Sequence, residues 1–206
     1  MSPSAEAMNA NKDVHCGNAM AMHATATGKG KEIHEVVPAL VGHNTNEVLY
    51  LIGVQEHVWV DAFDHRGGLV LLWHESVEVE VTGYSCNHID SIVSLDVRSP
   101  RWRFTGYYRY PKRSRRRESW KMLRMLSGMS TMPWVCMGDY NDLLYQSEKR
   151  GNNLHPNLFL NGFFETISDC GLQDFPFSGN QFTWERSRGS PDMVEEKLDR
   201  ILTTDS

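Results

Sequence analysis

The residues best suited to chemistry stand together at 138–142, Gly-Asp-Tyr-Asn-Asp. An apolar run from Trp134 to Met137 precedes them and reads as a buried strand begun just after Pro133. Asp139, Asn141 and Asp142 follow Gly138 at once, so carboxylates and a carboxamide emerge at the strand's tip. That is the form of an active site for polar chemistry on a rigid scaffold: the strand fixes position, the glycine frees the backbone, and the polar groups face outward at the sheet's edge. A plainer account fits the same residues, a strand closed by an Asx-type turn.

A second feature is electrostatic. The chain of 206 residues carries a formal net charge of −5, which argues against a generally basic nucleic-acid coat. The charge is uneven, however. Eleven of the 21 Lys and Arg residues fall between Arg98 and Arg124, against one acid, Glu118. An anionic partner suits that segment, with Arg113, Arg115, Arg116 and Arg117 as its densest group. Residues 112–117 also permit a nuclear-localisation reading, and a solvated approach to a helix is the plain alternative. The four cysteines are widely spaced with no Cys-x-x-Cys pair, which argues against a zinc site; Cys136 and Cys170 read as small buried hydrophobes of a reducing compartment. No apolar run approaches the ~20 residues of a membrane span, and no basic-then-apolar signal pattern opens the chain. The expectation is an intracellular protein.

The elements that must position these residues follow from periodicity. Residues 1–46 are rich in Ala, Met, Asn, Thr, Gly and His and hold no lasting period, so a disordered leader is expected there and a domain over 47–206. Residues 47–60 read as one or two strands and 69–73 as a fully apolar strand. Val77, Val79 and Val81 alternate with Glu78, Glu80 and Thr82; a turn at 86–88 and further apolar residues to Val97 continue a meander that closes with the strand around Trp102 to Tyr108. Trp120, Leu123, Met125 and Leu126 give a helical stripe that Gly128 ends. Leu158, Leu160, Phe163, Phe164 and Ile167 give a second, stopped at Gly171. Short strands are expected at 172–177, 181–184 and 197–203. Strand-rich halves with helices between them predict an α+β sandwich of two mostly antiparallel sheets with helices outside.

The ordered set Arg-Gly-Gly-Leu-Val-Leu-Leu-Trp (66–73), Asn-His-Ile-Asp (87–90), Trp-Arg-Phe-Thr-Gly-Tyr-Tyr (102–108), Pro-Trp-Val-Cys-Met-Gly-Asp-Tyr-Asn-Asp (133–142), Ser-Glu-Lys-Arg-Gly (147–151), Asp-Cys-Gly-Leu-Gln-Asp (169–174), Ser-Gly-Asn-Gln-Phe-Thr-Trp (178–184) and Lys-Leu-Asp-Arg-Ile-Leu (197–202) resembles the endonuclease/exonuclease/phosphatase superfamily. Within it, the set is most similar to the endonuclease domains of plant LINE-type (non-LTR) retrotransposons. The resemblance implies a four-layered α/β sandwich and Mg²⁺-dependent hydrolysis of a phosphodiester in DNA, with RNA as the other candidate substrate. It implies that Asp139 orients or deprotonates the attacking water, that Asn141 holds a phosphate oxygen, that Tyr107 contacts the phosphate, and that Asp199 orients a catalytic histidine. Read without the resemblance, Tyr107 is a half-buried strand aromatic and Asp199 a partner to Arg200 or Lys197.

The chain departs from that pattern in three places. The family's opening strand with its asparagine has no counterpart. Glu56, in Val-Gln-Glu-His (54–57), imitates the metal-binding glutamate but stands too close to Gly67 for the intervening elements. The sequence ends at Ser206 before a Ser-Asp-His. The expectation is therefore an impaired phosphodiesterase, with a non-catalytic nucleic-acid-binding or inert remnant as the alternative.

Overall fold

The computed structural model describes residues 20, 21, 24–26, 34–41, 56–60, 68–96, 98–109, 113–175 and 180–205. Its strands run β1 (Met20–Ala21), β2 (Ala24–Ala26), β3 (His34–Val41), β4 (Glu56–Val60), β5 (Gly68–Trp73), β6 (Glu78–Ser85), β7 (His88–Ser94) and β8 (Trp102–Tyr108). They continue with β9 (Trp134–Asp139), β10 (Lys149–Arg150), β11 (Leu172–Asp174), β12 (Trp184–Arg186), β13 (Val194–Glu196) and β14 (Asp199–Thr204). Two α-helices lie among the described residues, α1 (Arg116–Ser127) and α2 (Asn157–Asp169).

The six-stranded sheet has the order β11-β14-β9-β8-β7-β6. The expected meander is its β6-β7-β8 half, all antiparallel. Between β8 and β9 the chain crosses over through α1, and those two strands pair in parallel, as a helical crossover requires. A five-stranded sheet has the order β1-β3-β5-β4, with β2 also on β3, and a small sheet has the order β10-β13-β12.

Side-chain parity sorts the strands into layers. Phe104, Met137 and Ile201 pack with Leu69, Leu71 and Trp73 between the two larger sheets. The opposite face of the six-stranded sheet sets Cys136, Trp134 and Leu202 against Leu123 and Leu126 of α1 and Phe163 and Ile167 of α2. Sheet, sheet and helices are thus stacked in the α+β sandwich that was expected. Both faces of β8 are covered, so Arg103, Thr105 and Tyr107 are as buried as Phe104. The outer strand β6 keeps Glu78 and Glu80 exposed, charges that blunt an open edge.

Several local expectations shift. Within the stretch 1–46, the described residues form β1, β2 and β3, and β3 pairs with β5 over six positions. Met125 was placed on the inner stripe of α1 but is 57% exposed. The buried positions are Arg116, Ser119, Leu123 and Leu126, a 3.6-residue stripe that Met125 misses and that carries two polar groups. Leu158 and Phe164 are likewise exposed on α2, where Leu160, Phe163 and Ile167 face inward. The strand expected at 181–184 begins only at Trp184, and β10 and β13, too polar to stand out, were not foreseen. Cys136 and Cys170 are buried as expected.

Candidate active site at the end of the central strands

Three strands deliver polar side chains to one row. Asp139 at the end of β9 is in register with Asp199 at the start of β14 on one side and with Tyr108 at the end of β8 on the other. Residues in register on adjacent strands present their side chains to the same face. Parity assigns that face: Met137 and Ile201, two residues inside Asp139 and Asp199, pack between the sheets, and Tyr108 packs against the same cluster. The row therefore caps the apolar layer between the two larger sheets. Asn87, in the turn just before β7, supports it, its Nδ2 donating to the Tyr108 carbonyl at 2.7 Å.

Gly138 is what lets β9 come so close. Its φ is +149°, and a Cβ there would stand 1.9 Å from the Tyr107 carbonyl oxygen. Past it, the Asn141 N–H donates to Asp139 Oδ1 at 2.8 Å, which is the Asx turn read from the sequence; the turn and the active-site form are one arrangement. The Asn141 carboxamide bonds the same carboxylate. Asn141 itself sits at φ 46°, the left-handed region that asparagine tolerates better than most residues.

Burial and the neighbouring Asp199 charge push the Asp139 carboxyl up to about 7, against the Asn141 hydrogen bonds and the more distant Arg109, which pull it down. Burial also raises Asp199, with Thr183 and Arg200 opposing. The Thr183 Oγ1 accepts from the backbone N–H groups of Leu198 and Asp199, each at 3.0 Å, and so fixes the start of β14. Arg200 does not pair with Asp199, as the plain sequence account had it. It points to the helix side, wholly buried, and binds Glu148 and Asp174, while Lys197 binds Asp174 at 2.7 Å. Glu148 in turn accepts from the Leu144 N–H at 2.7 Å. The motifs around 148, 174 and 200 are thus one internal cross-link holding the chain just beyond the Asp139–Asp142 turn.

Asp142, fully buried, closes that turn. It meets Arg109 and Arg116 at 2.9 Å each and accepts from Trp120 Nε1 at 2.9 Å. Burial pushes its carboxyl up to about 6 while the two guanidiniums and the indole pull it back.

Two sets of expected residues are placed differently. Tyr107 was expected to meet phosphate, but it is 2% exposed, stacks on Tyr140 with ring centroids 4.8 Å apart, and donates its hydroxyl to the Ser119 carbonyl of α1 at 3.0 Å. Odd positions of β8 face the helices, so it is Tyr108 that stands in the row; the two-residue alternation of the strand carried that signal. Of the basic group, Arg116 is 4% exposed and lies over the Phe159 ring, its guanidinium carbon 3.9 Å from the centroid; it presents no cation outward. Arg115 donates to Glu118 at 2.8 Å, and Arg117 is exposed. The side chain of Arg113 lies outside the described residues. Arg103 and Arg109 are interior as well: Arg103 Nε donates to Asp90 at 2.8 Å and its Nη1 to the Leu126 carbonyl at 2.6 Å. Much of the basic segment thus cross-links the fold.

Among the described residues no group of three or more His, Cys, Asp or Glu side chains is placed to hold a metal. A single carboxylate such as Asp199 nevertheless suits a hard divalent cation such as Mg²⁺, which takes one or two carboxylates and completes its shell with water and substrate phosphate. A cation there would relieve the repulsion that raises Asp139.

Comparisons with known proteins agree with the sandwich. The model of the endonuclease/exonuclease/phosphatase family matches residues 14–206. Among solved structures, the endonuclease domain of TRAS1, a telomere-specific non-LTR retrotransposon, superposes with a TM-score of 0.55 at 14% identity, over 73% of this chain and 67% of that one. The AP endonuclease LMAP from Leishmania major superposes with a TM-score of 0.51 at 14% identity, over 78% of this chain and 66% of that one. The chain thus spans about two thirds of the length of each. No curated protein matches.

Proposed function

The chain belongs to the endonuclease/exonuclease/phosphatase family, and from that premise we propose that it is a phosphodiesterase acting on DNA with Mg²⁺, derived from a retrotransposon endonuclease domain. The observation that carries this reading is the row of Tyr108, Asp139 and Asp199 in register across three strands. A carboxylate that titrates close to neutrality is a competent general base, and Asp139, at about 7, would take the proton from the attacking water. Asn141 would turn its carboxamide from Asp139 to a non-bridging phosphate oxygen and donate to the charge that develops there. Tyr108 would offer its hydroxyl to the same group from the neighbouring strand. Asp199 would hold Mg²⁺, and the ion when bound would neutralise phosphate charge and acidify the attacking water, with Asp139 left free to act as the base. The core of the domain is assigned to 47–206, with β1–β3 contributing to its first sheet.

On this reading purified protein nicks supercoiled plasmid DNA when Mg²⁺ is added and stops when EDTA removes it. Cutting that persists in EDTA contradicts it. The rate is expected to be low, because one member missing from a catalytic unit commonly costs on the order of three decades and the metal-binding glutamate of the family pattern has no assigned counterpart in this sequence. A second reading, a nucleic-acid-binding remnant, is favoured by the convergence of only two carboxylates among the described residues. It predicts salt-sensitive DNA binding with no Mg²⁺-dependent nicking at any enzyme concentration.

A further inference from the structure

Arg109 follows β8 directly and is 1% exposed, so it touches no substrate. Four of its contacts run to the turn that bears the site. Its backbone N–H donates to the Asp139 carbonyl at 2.9 Å, the last bond of the parallel ladder between β8 and β9. Its Nη1 donates to the Tyr140 carbonyl at 3.3 Å and to the Asn141 carbonyl at closer range, and pairs with Asp142 at 2.9 Å. One residue thus grips four successive positions, 139 to 142. The far end of the grip is itself anchored, because Asp142 is also held by Arg116 and Trp120 of α1.

We propose that Arg109 is a positioning residue that sets the backbone of residues 139–142, and through it the placement of Asp139 and Asn141. The proposal rests on the reading that those two residues perform the chemistry. The left-handed backbone of Asn141 is a conformation that persists only when its surroundings over-determine it, and the guanidinium on its carbonyl is such a restraint. A planar fork with several fixed donors serves two carbonyls and a carboxylate at once, whereas an ammonium is a point charge on a flexible stem. Charge alone therefore does not replace it.

The test compares Arg109→Lys and Arg109→Met with the wild type by two readouts. The first is the split of plasmid-nicking kinetics into kcat and KM, taken per folded molecule. The second is the Cα and Cβ chemical shifts of Asn141, which report its φ without any catalysis. The expected result is that both variants lose the left-handed signature of Asn141, and that kcat falls by about a hundredfold, the scale of a 1 Å misplacement, while KM stays within about twofold. Lysine gives no rescue. Arg109→Lys with kcat unchanged, or with Asn141 shifts unchanged, overturns the proposal and leaves Arg109 a structural ion pair. If the wild type does not nick DNA, the proposed function fails, and the Asn141 shifts alone decide whether Arg109 sets the turn. Should Arg109→Met not fold, Arg109→Lys carries both readouts.

Discussion

At the scale of residues, Asp139 gives the sharpest expectation. Its folded-state carboxyl titrates at about 7 because burial and Asp199 both oppose its charge. Carbon-detected titration of the metal-free protein should find that midpoint, and Asp199→Asn should move it down, since a negative neighbour is removed. A midpoint that Asp199→Asn leaves in place would mean that the two carboxylates do not interact. Nicking that needs ionised Asp139 falls about tenfold per pH unit below the working midpoint. The sign for stability is opposite. A carboxyl raised above its unfolded value binds its proton more tightly when folded, so its contribution is complete below about pH 4 and is lost as pH rises through about 7. Asp139 and Asn141 drew attention in the sequence because they follow the apolar run of β9 at once, whereas Asp199 was singled out only by the family resemblance. Tyr108 was legible in principle from the parity of β8. The buried pairing of Arg109 and Arg116 with Asp142 was not, since side chains that meet across 33 and 26 positions of chain leave no local pattern.

At the scale of elements, the site depends on how closely β9 approaches β8. Gly138→Ala puts a Cβ 1.9 Å from the Tyr107 carbonyl oxygen, and neither backbone can yield without opening the parallel ladder. Denaturant unfolding should show a loss of roughly 2 kcal/mol or more, the range for backbone strain combined with overpacking. A change under half of that would show that the strands are not so tightly opposed. In the layer between sheet and helices, Leu126→Ala should cost about 2–5 kcal/mol, for Leu126 has no exposed surface. Met125→Ala, one position earlier and exposed, should change little. That contrast is the difference between an apolar residue count and a helical phase. Meander, helices and the Asp139 strand could be read from periodicity because their apolar residues recur at fixed spacing. The strands β10 and β13 could not, because Lys149, Glu195 and Glu196 are held by ion pairs and ladder hydrogen bonds and carry no apolar alternation.

At the scale of the whole molecule, the sandwich exists to bring the ends of β8, β9 and β14 together over the layer between its sheets. Three of the eleven basic residues that suggested an anionic partner are spent inside that framework and others are tied up in surface pairs. Arg103, Arg109 and Arg116 are buried in ion pairs, and Arg101 and Arg124 pair with Glu80 and Asp169. DNA affinity should therefore respond far more to Arg117→Ala, at an exposed cation, than net composition suggests for any one site, and its salt slope should be shallow, about one unit for each phosphate neutralised. The most direct test of the account is nicking of supercoiled plasmid by wild type and Asp139→Ala, prepared identically and matched for DNA binding, at saturating Mg²⁺. The account predicts that the wild type converts supercoiled to open-circular DNA while Asp139→Ala, binding equally well, loses at least about two orders of magnitude in rate. Equal rates for the two proteins would contradict it.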